Sequence, residues 1–182
     1  MVSAIQLASN ALLLLGHDPI SSFTESTAGA QIASNLYETT YESLLTQHRW
    51  RFASKQAIAS RLAGTPINEF TYQFQIPSDC LYLIRTTTEN YEVFEDRIFA
   101  NVSELNIEFI FRIPENRLPP YFAKAFEFFL AAQFAIPITG SLEKANFYIN
   151  VYKDQLRIAK FTDSTQRPQD TFIDSPYTDV RN

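Results

Sequence analysis

His48-Arg49-Trp50-Arg51-Phe52-Ala53 contains the only Trp of the chain and one of its two His. The stretch stands where a long helical pattern stops. Two cations alternate with two aromatics. This alternation predicts a strand-like exit from the helix, with Trp50 and Phe52 turned to the core and Arg49 and Arg51 turned outward to carboxylates. Trp50 and Phe52 are therefore read as a structural junction. The rival reading is an aromatic-interleaved basic patch for nucleic acid, but two cations are too few to hold phosphate by themselves.

Upstream of the junction the pattern is helical. Ser3 followed by Gln6 is a capping-box arrangement. Ala4, Ile5, Leu7, Ala8, Ala11, Leu12 and Leu15 then give a broad apolar face, and Gly16 suits the end of that helix. Ile20 to Ser26 reads as a loop. Ile32, Ala33, Leu36, Tyr37, Tyr41, Leu44, Leu45 and His48 recur at spacings of three and four. They predict a second helix from about Thr27 to His48, a rod of about 30 Å.

Downstream the period changes to two. Phe70, Tyr72, Phe74 and Ile76 alternate with polar residues, and Pro77-Ser78-Asp79 is turn chemistry. Cys80 to Thr88, Tyr91 to Phe94, Ile98 to Ala100 and Asn106 to Ile113 read as further strands. A small antiparallel sheet of four or five strands is the expectation. Pro119-Pro120 opens a third helix, and Ser141 caps a fourth, which extends to about Phe161. Beyond Thr162, isolated Phe172, Ile173 and Tyr177 stand among Ser, Thr, Gln and Pro, as in an arm that orders on a partner.

The expected fold is therefore α+β: a four-helix bundle with an inserted small antiparallel β-sheet and an extended C-terminal arm. Residues 1–62 and 118–162 would form the bundle, 63–117 the β-domain and 163–182 the arm.

Composition narrows the function. The chain has 182 residues, 46% of them hydrophobic and 19% charged, enough for one real core. Its aromatic content of 14% can fill that core or enrich protein contacts. Formal net charge is −5, against the basic balance of a general nucleic-acid binder. Residues 1–48 carry Asp18, Glu25, Glu38 and Glu42 but no Lys or Arg. That reads as a solvated acidic face or as a surface that must not stick to DNA. Cys80 is the only cysteine, so no intrachain disulfide forms, and a buried inert thiol is expected. Met1 to Leu15 lacks a positive leader and is too short to span a bilayer. Synthesis and folding in a reducing cytoplasm are expected, with no membrane partner.

Catalytic chemistry is sparse. His17 and His48 lack metal-ligand spacing, and each suits a helix end. Glu92, Glu95 and Asp96 crowd one hairpin, where paired carboxylates could do acid–base work or bind a divalent ion. Short exposed strands make a solvated loop the favoured reading. No glycine-rich phosphate loop or nucleophile elbow occurs. No cofactor, metal or catalytic residue is assigned, and the chain is read as a non-enzyme.

The order of these features resembles the tail tubular protein A family, the head-to-tail adaptor or gatekeeper of short-tailed bacteriophages. The likeness is carried by Ala11-Leu12-Leu13-Leu14-Leu15-Gly16, then Ile20-Ser21-Ser22-Phe23-Thr24-Glu25. The long helix with Ala33, Leu36 and Tyr37 follows, then Leu44-Leu45 through Trp50-Arg51-Phe52-Ala53. It covers about residues 1–60 by motif, and the sheet and the Tyr121–Phe161 helix pair agree only in order and character.

The resemblance implies a structural protein of the virion neck, made in the host cytoplasm. It implies a dodecameric ring below the portal protein that continues the DNA channel. A tail nozzle or tail tube protein would meet its other side, and DNA would pass without specific binding. Arg167, Phe172, Ile173 and Tyr177 are the expected partner-interface residues, on an arm reaching a neighbouring subunit or the portal. Two alternatives stand beside it: a virion hydrolase of cell-wall glycan using Glu92, Glu95 or Asp96, and a DNA-binding module using Arg49 and Arg51.

Overall fold

The first helix begins where Ser3 accepts a hydrogen bond from the Gln6 amide. It ends at Gly16, whose φ of 79° permits the left-handed turn that L side chains resist. The Gly16 amide donates to the Leu13 carbonyl and the His17 amide to the Leu12 carbonyl, closing the helix end. The computed structural model describes residues 2–166. Its helices are α1 (Ala4–Leu14), α2 (Ala28–Thr46), α3 (Pro120–Thr139) and α4 (Leu142–Thr165). Its strands are β1 (Ser54–Ile58), β2 (Ser60–Arg61), β3 (Tyr72–Gln75), β4 (Cys80–Thr86), β5 (Tyr91–Phe94), β6 (Arg97–Ala100) and β7 (Asn106–Phe111).

The strands form two antiparallel sheets. Sheet A has the order β1-β7-β4 and sheet B the order β2-β3-β6-β5. The chain passes from A to B at Ala59, whose amide donates to the Leu105 carbonyl. Central strand β7 is buried on both sides. Ile107 and Phe109 join Phe74, Ile98 and Leu105 in a core between the sheets. Ile110 turns the other way, into the helical core with Leu44, Trp50 and Phe122. Alternation of side chains along a strand makes one strand serve two cores.

This architecture corrects the expected four-helix bundle with a small inserted sheet. Four helices and seven strands in two sheets are present among the described residues. The helices gather on α3, their core is shared with sheet A, and α1 and α2 barely touch. Sheet A closes the helical core with Ile110, Leu81 and Ile84. The extra strands arise at Ser54–Arg61, within the stretch assigned to the helical bundle. Strand β1 is a half-exposed edge strand without strict apolar alternation, so its period was not visible.

Helix α3 is long and apolar enough to cross a membrane by length and composition. Its Phe122, Phe126, Leu130 and Phe134 are fully enclosed by the other helices and sheet A. Helix α2 is tied to the β7–α3 connection by the Tyr41 hydroxyl, which donates to the Ile113 carbonyl at 2.8 Å. Arg112 lies over the Tyr41 ring and pairs with both Glu38 and Glu115.

Candidate functional site

The junction is built around Trp50, which is fully buried. Its Nε1 donates to the Leu44 carbonyl at 3.1 Å, satisfying the one polar atom of the ring. The Phe122 ring meets it edge-on at 5.1 Å, and His48 at 4.8 Å from the other side. Phe52 is half-buried and packs on both Trp50 and Phe122. Trp50 lies in the helical core, and Phe52 packs partly buried against it. The backbone differs from expectation: Arg51–Ala53 is a 3-10 turn, not a strand.

Two buried carboxylates flank this turn. Glu108, on β7, accepts hydrogen bonds from Arg49, from Arg85 Nε at 2.8 Å and from Gln56 Nε2 at 3.3 Å. Burial pushes its pKa up, but the hydrogen bonds of Arg49 and Arg85 outweigh burial and hold it below the usual carboxylate range. Asp163, in the last turn of α4, accepts from the Arg51 amide at 3.0 Å and from the Tyr121 hydroxyl at 2.8 Å. His48 Nε2 is 4.0 Å from the same carboxylate. Burial and the neighbouring Lys160 lower the His48 pKa despite Asp163, so the ring is neutral near pH 7 and this is not an ion pair.

Arg49 thus reaches a carboxylate, as its spacing suggested, while Arg51 is held through its backbone and its side chain is exposed. Glu108 and Asp163 were missed from sequence. A lone acid among the Ile and Phe of β7 was the available signal for Glu108. For Asp163, the signal was its helical register with Tyr152, Leu156 and Ala159; it had been assigned to the arm.

Glu92, Glu95 and Asp96 are exposed on the β5–β6 hairpin, where Glu95 takes a φ of 55°. Asp96 accepts from Gln75 Nε2, which lowers its pKa, the opposite of what a general acid needs. Of the acidic residues before Arg49, Glu38 is paired with Arg112, and Glu25 accepts from the Ser21 hydroxyl and the Ser21 and Ser22 amides. Cys80 is half-buried rather than enclosed, and burial raises its pKa, so it is a thiol near neutrality. His17 packs against Gly29, where an added Cβ would stand 3.2 Å from the ring.

Helix α4 presents a second apolar stripe. Tyr152, Leu156 and Ala159 face the helical core. On the far side Phe147, Ile158 and Phe161 are 60%, 50% and 71% exposed. Their spacing of 11 and 3 residues places them on one face at 100° per residue. Val93 and Phe94 form another exposed apolar spot, on the β5–β6 hairpin. Arg167, Phe172, Ile173 and Tyr177 lie outside the described residues.

Comparison of the chain with protein-family models and with curated proteins found no match.

Proposed function

We propose that the chain is an assembly protein: a head-to-tail adaptor of the tail tubular protein A kind, one subunit of a ring below a phage portal. The observation that carries this reading is the exposed stripe of Phe147, Ile158 and Phe161 on a helix whose opposite face is already packed. Exposed apolar surface of this kind marks contact with another protein. The hairpin spot at Val93 and Phe94 is a second, unlike surface. Two unlike surfaces suit head-to-tail contacts, which close into rings. The succession of motifs from Ala11 to Ala53 supplies the family likeness.

The ring would contact the portal on one side and a tail nozzle or tail tube protein on the other, and the arm with Arg167, Phe172, Ile173 and Tyr177 would reach a neighbouring subunit or the portal. DNA would slide through without being gripped. That rests on the net charge of −5 rather than on a ready-made acidic face, since Glu25 and Glu38 are engaged within the fold.

The deciding experiment is mass measurement of the protein alone and mixed with the portal of the same phage. Incorporation into a ring-sized complex with the portal is the expected result. A chain that ignores the portal and instead cleaves purified peptidoglycan, with loss of cleavage in Glu92→Gln, sinks the adaptor reading.

A further inference from the structure

The last turn of α4 walls a basic cleft. Asp163 and Ser164 line it together with His48, Arg49, Arg51 and Arg85, and its volume is about 670 Å³. At Arg85 and Glu108 it meets a second groove of about 520 Å³ on sheet A, lined by Ala57, Ile58 and Ile107 among others. Three guanidinium groups here face two carboxylates. Both carboxylates are already hydrogen-bonded, Glu108 by Arg49 and Arg85, and Asp163 by the Arg51 amide and Tyr121. The Arg51 side chain has no ion-pair partner among the described residues, and Arg85 engages Glu108 through Nε while its side chain is 63% exposed. Beside these cations Ile58 is 64% exposed.

We infer that this cleft is the docking site of the chain's own C-terminal segment, residues 167–182, in the same molecule. Three facts select this occupant. The segment starts directly after Gln166, two residues beyond the Ser164 wall. It carries Asp170, Asp174 and Asp179 against Arg167 and Arg181, with Phe172 midway between the first two acids. If the segment is extended, the alternate positions Asp170, Phe172 and Asp174 would share one face, so that two carboxylates could meet Arg51 and Arg85 and a ring could meet Ile58. The segment starts near the cations, since Asp163 contacts the Arg51 amide, and four extended residues from Gln166 to Asp170 span about 13 Å. A tether this short also holds the segment at millimolar effective concentration, which favours the same molecule over a second copy. Duplex DNA offers anions as well, but the acidic segment emerges at the mouth of the cleft and competes for the same guanidiniums.

The inference does not depend on the adaptor reading, and its test needs no partner. The full chain carries a nitroxide at Thr171→Cys in a Cys80→Ser background, and amide signals are followed by NMR at low protein concentration. Amides of Ile58, Thr87 and Ser164 are expected to lose most of their intensity, while those at the N-terminal end of α4 keep theirs. Adding Asp170→Arg and Asp174→Arg, which leave the folded core untouched, should restore the signals, and so should high salt. Arg51→Glu should weaken the broadening, and pairing it with Asp170→Arg should recover it. Unaffected cleft amides overturn the inference. So does broadening seen only when unlabelled and spin-labelled chains are mixed, which would mean docking onto a second copy. Unaffected cleft amides that shift instead on addition of duplex DNA would assign the cleft to nucleic acid.

Discussion

Trp50 combines full burial, a satisfied indole N–H and two edge-on aromatic contacts. Trp50→Ala removes the largest side chain at the point where α2, α3 and the 3-10 turn meet. A loss of about 3–5 kcal/mol is expected, read as a large fall in melting temperature. An unchanged melting temperature with failed assembly would show instead that the ring serves a partner.

Acid sensitivity at the same junction comes in two steps. The folded-state pKa of His48 lies below its unfolded value, so its contribution is present above pH about 6.5 and is lost as pH falls through the folded value. Glu108 is likewise lowered, so its contribution is present above about pH 4.3 and is lost as pH falls further. Denaturant titrations across pH should show both steps. His48→Gln should flatten the upper one, and Glu108→Gln should reduce the lower one while weakening the protein at neutral pH, because Arg49 and Arg85 lose their charged partner.

At the scale of elements, α2 is tied to the β7–α3 connection by the buried Tyr41 hydroxyl on the Ile113 carbonyl, beside the Tyr37–Glu115 hydrogen bond and the Glu38–Arg112 pair. Tyr41→Phe keeps the packing but leaves that carbonyl with the Arg112 guanidinium as its remaining donor. Destabilisation of about 1–3 kcal/mol is expected in chemical denaturation, with the slope against denaturant unchanged. A neutral result would mean that Arg112, which lies over the Tyr41 ring and donates to the same carbonyl, satisfies it alone.

The helices and most strands were legible because each carries its own local signal. Ser3, Thr27 and Ser141 all act as N-caps. Strands β3 to β7 follow period-two segments, but β1 and β2 do not. An edge strand that pairs on one side and is half open to water needs no apolar alternation, so Ser54–Arg61 looked like the continuation of a helical domain. The junction's carboxylates were hidden for a related reason: partners 59 residues apart for Arg49 and Glu108, and 112 apart for Arg51 and Asp163, leave no spacing to read.

At the scale of the whole molecule, the outer apolar face of α4 stands exposed among the described residues. Phe147→Asp combined with Phe161→Asp places charges on exposed positions, so melting temperature should change little. Assembly with the portal, followed by sedimentation, should be lost if this stripe is a subunit contact. Retained assembly would move the contact to the β5–β6 hairpin or the arm.

By itself the sequence determined the helices and their caps, the alternating strands and the Trp50 junction, because these follow from local periodicity and from the burial of single large side chains. Only the tertiary structure decided that sheet A lies between two cores, that β1 exists, and that Glu108 and Asp163 gather three arginines into one cleft. Each of these depends on residues far apart in the chain meeting in space, and a pairing of that kind leaves no period along the sequence.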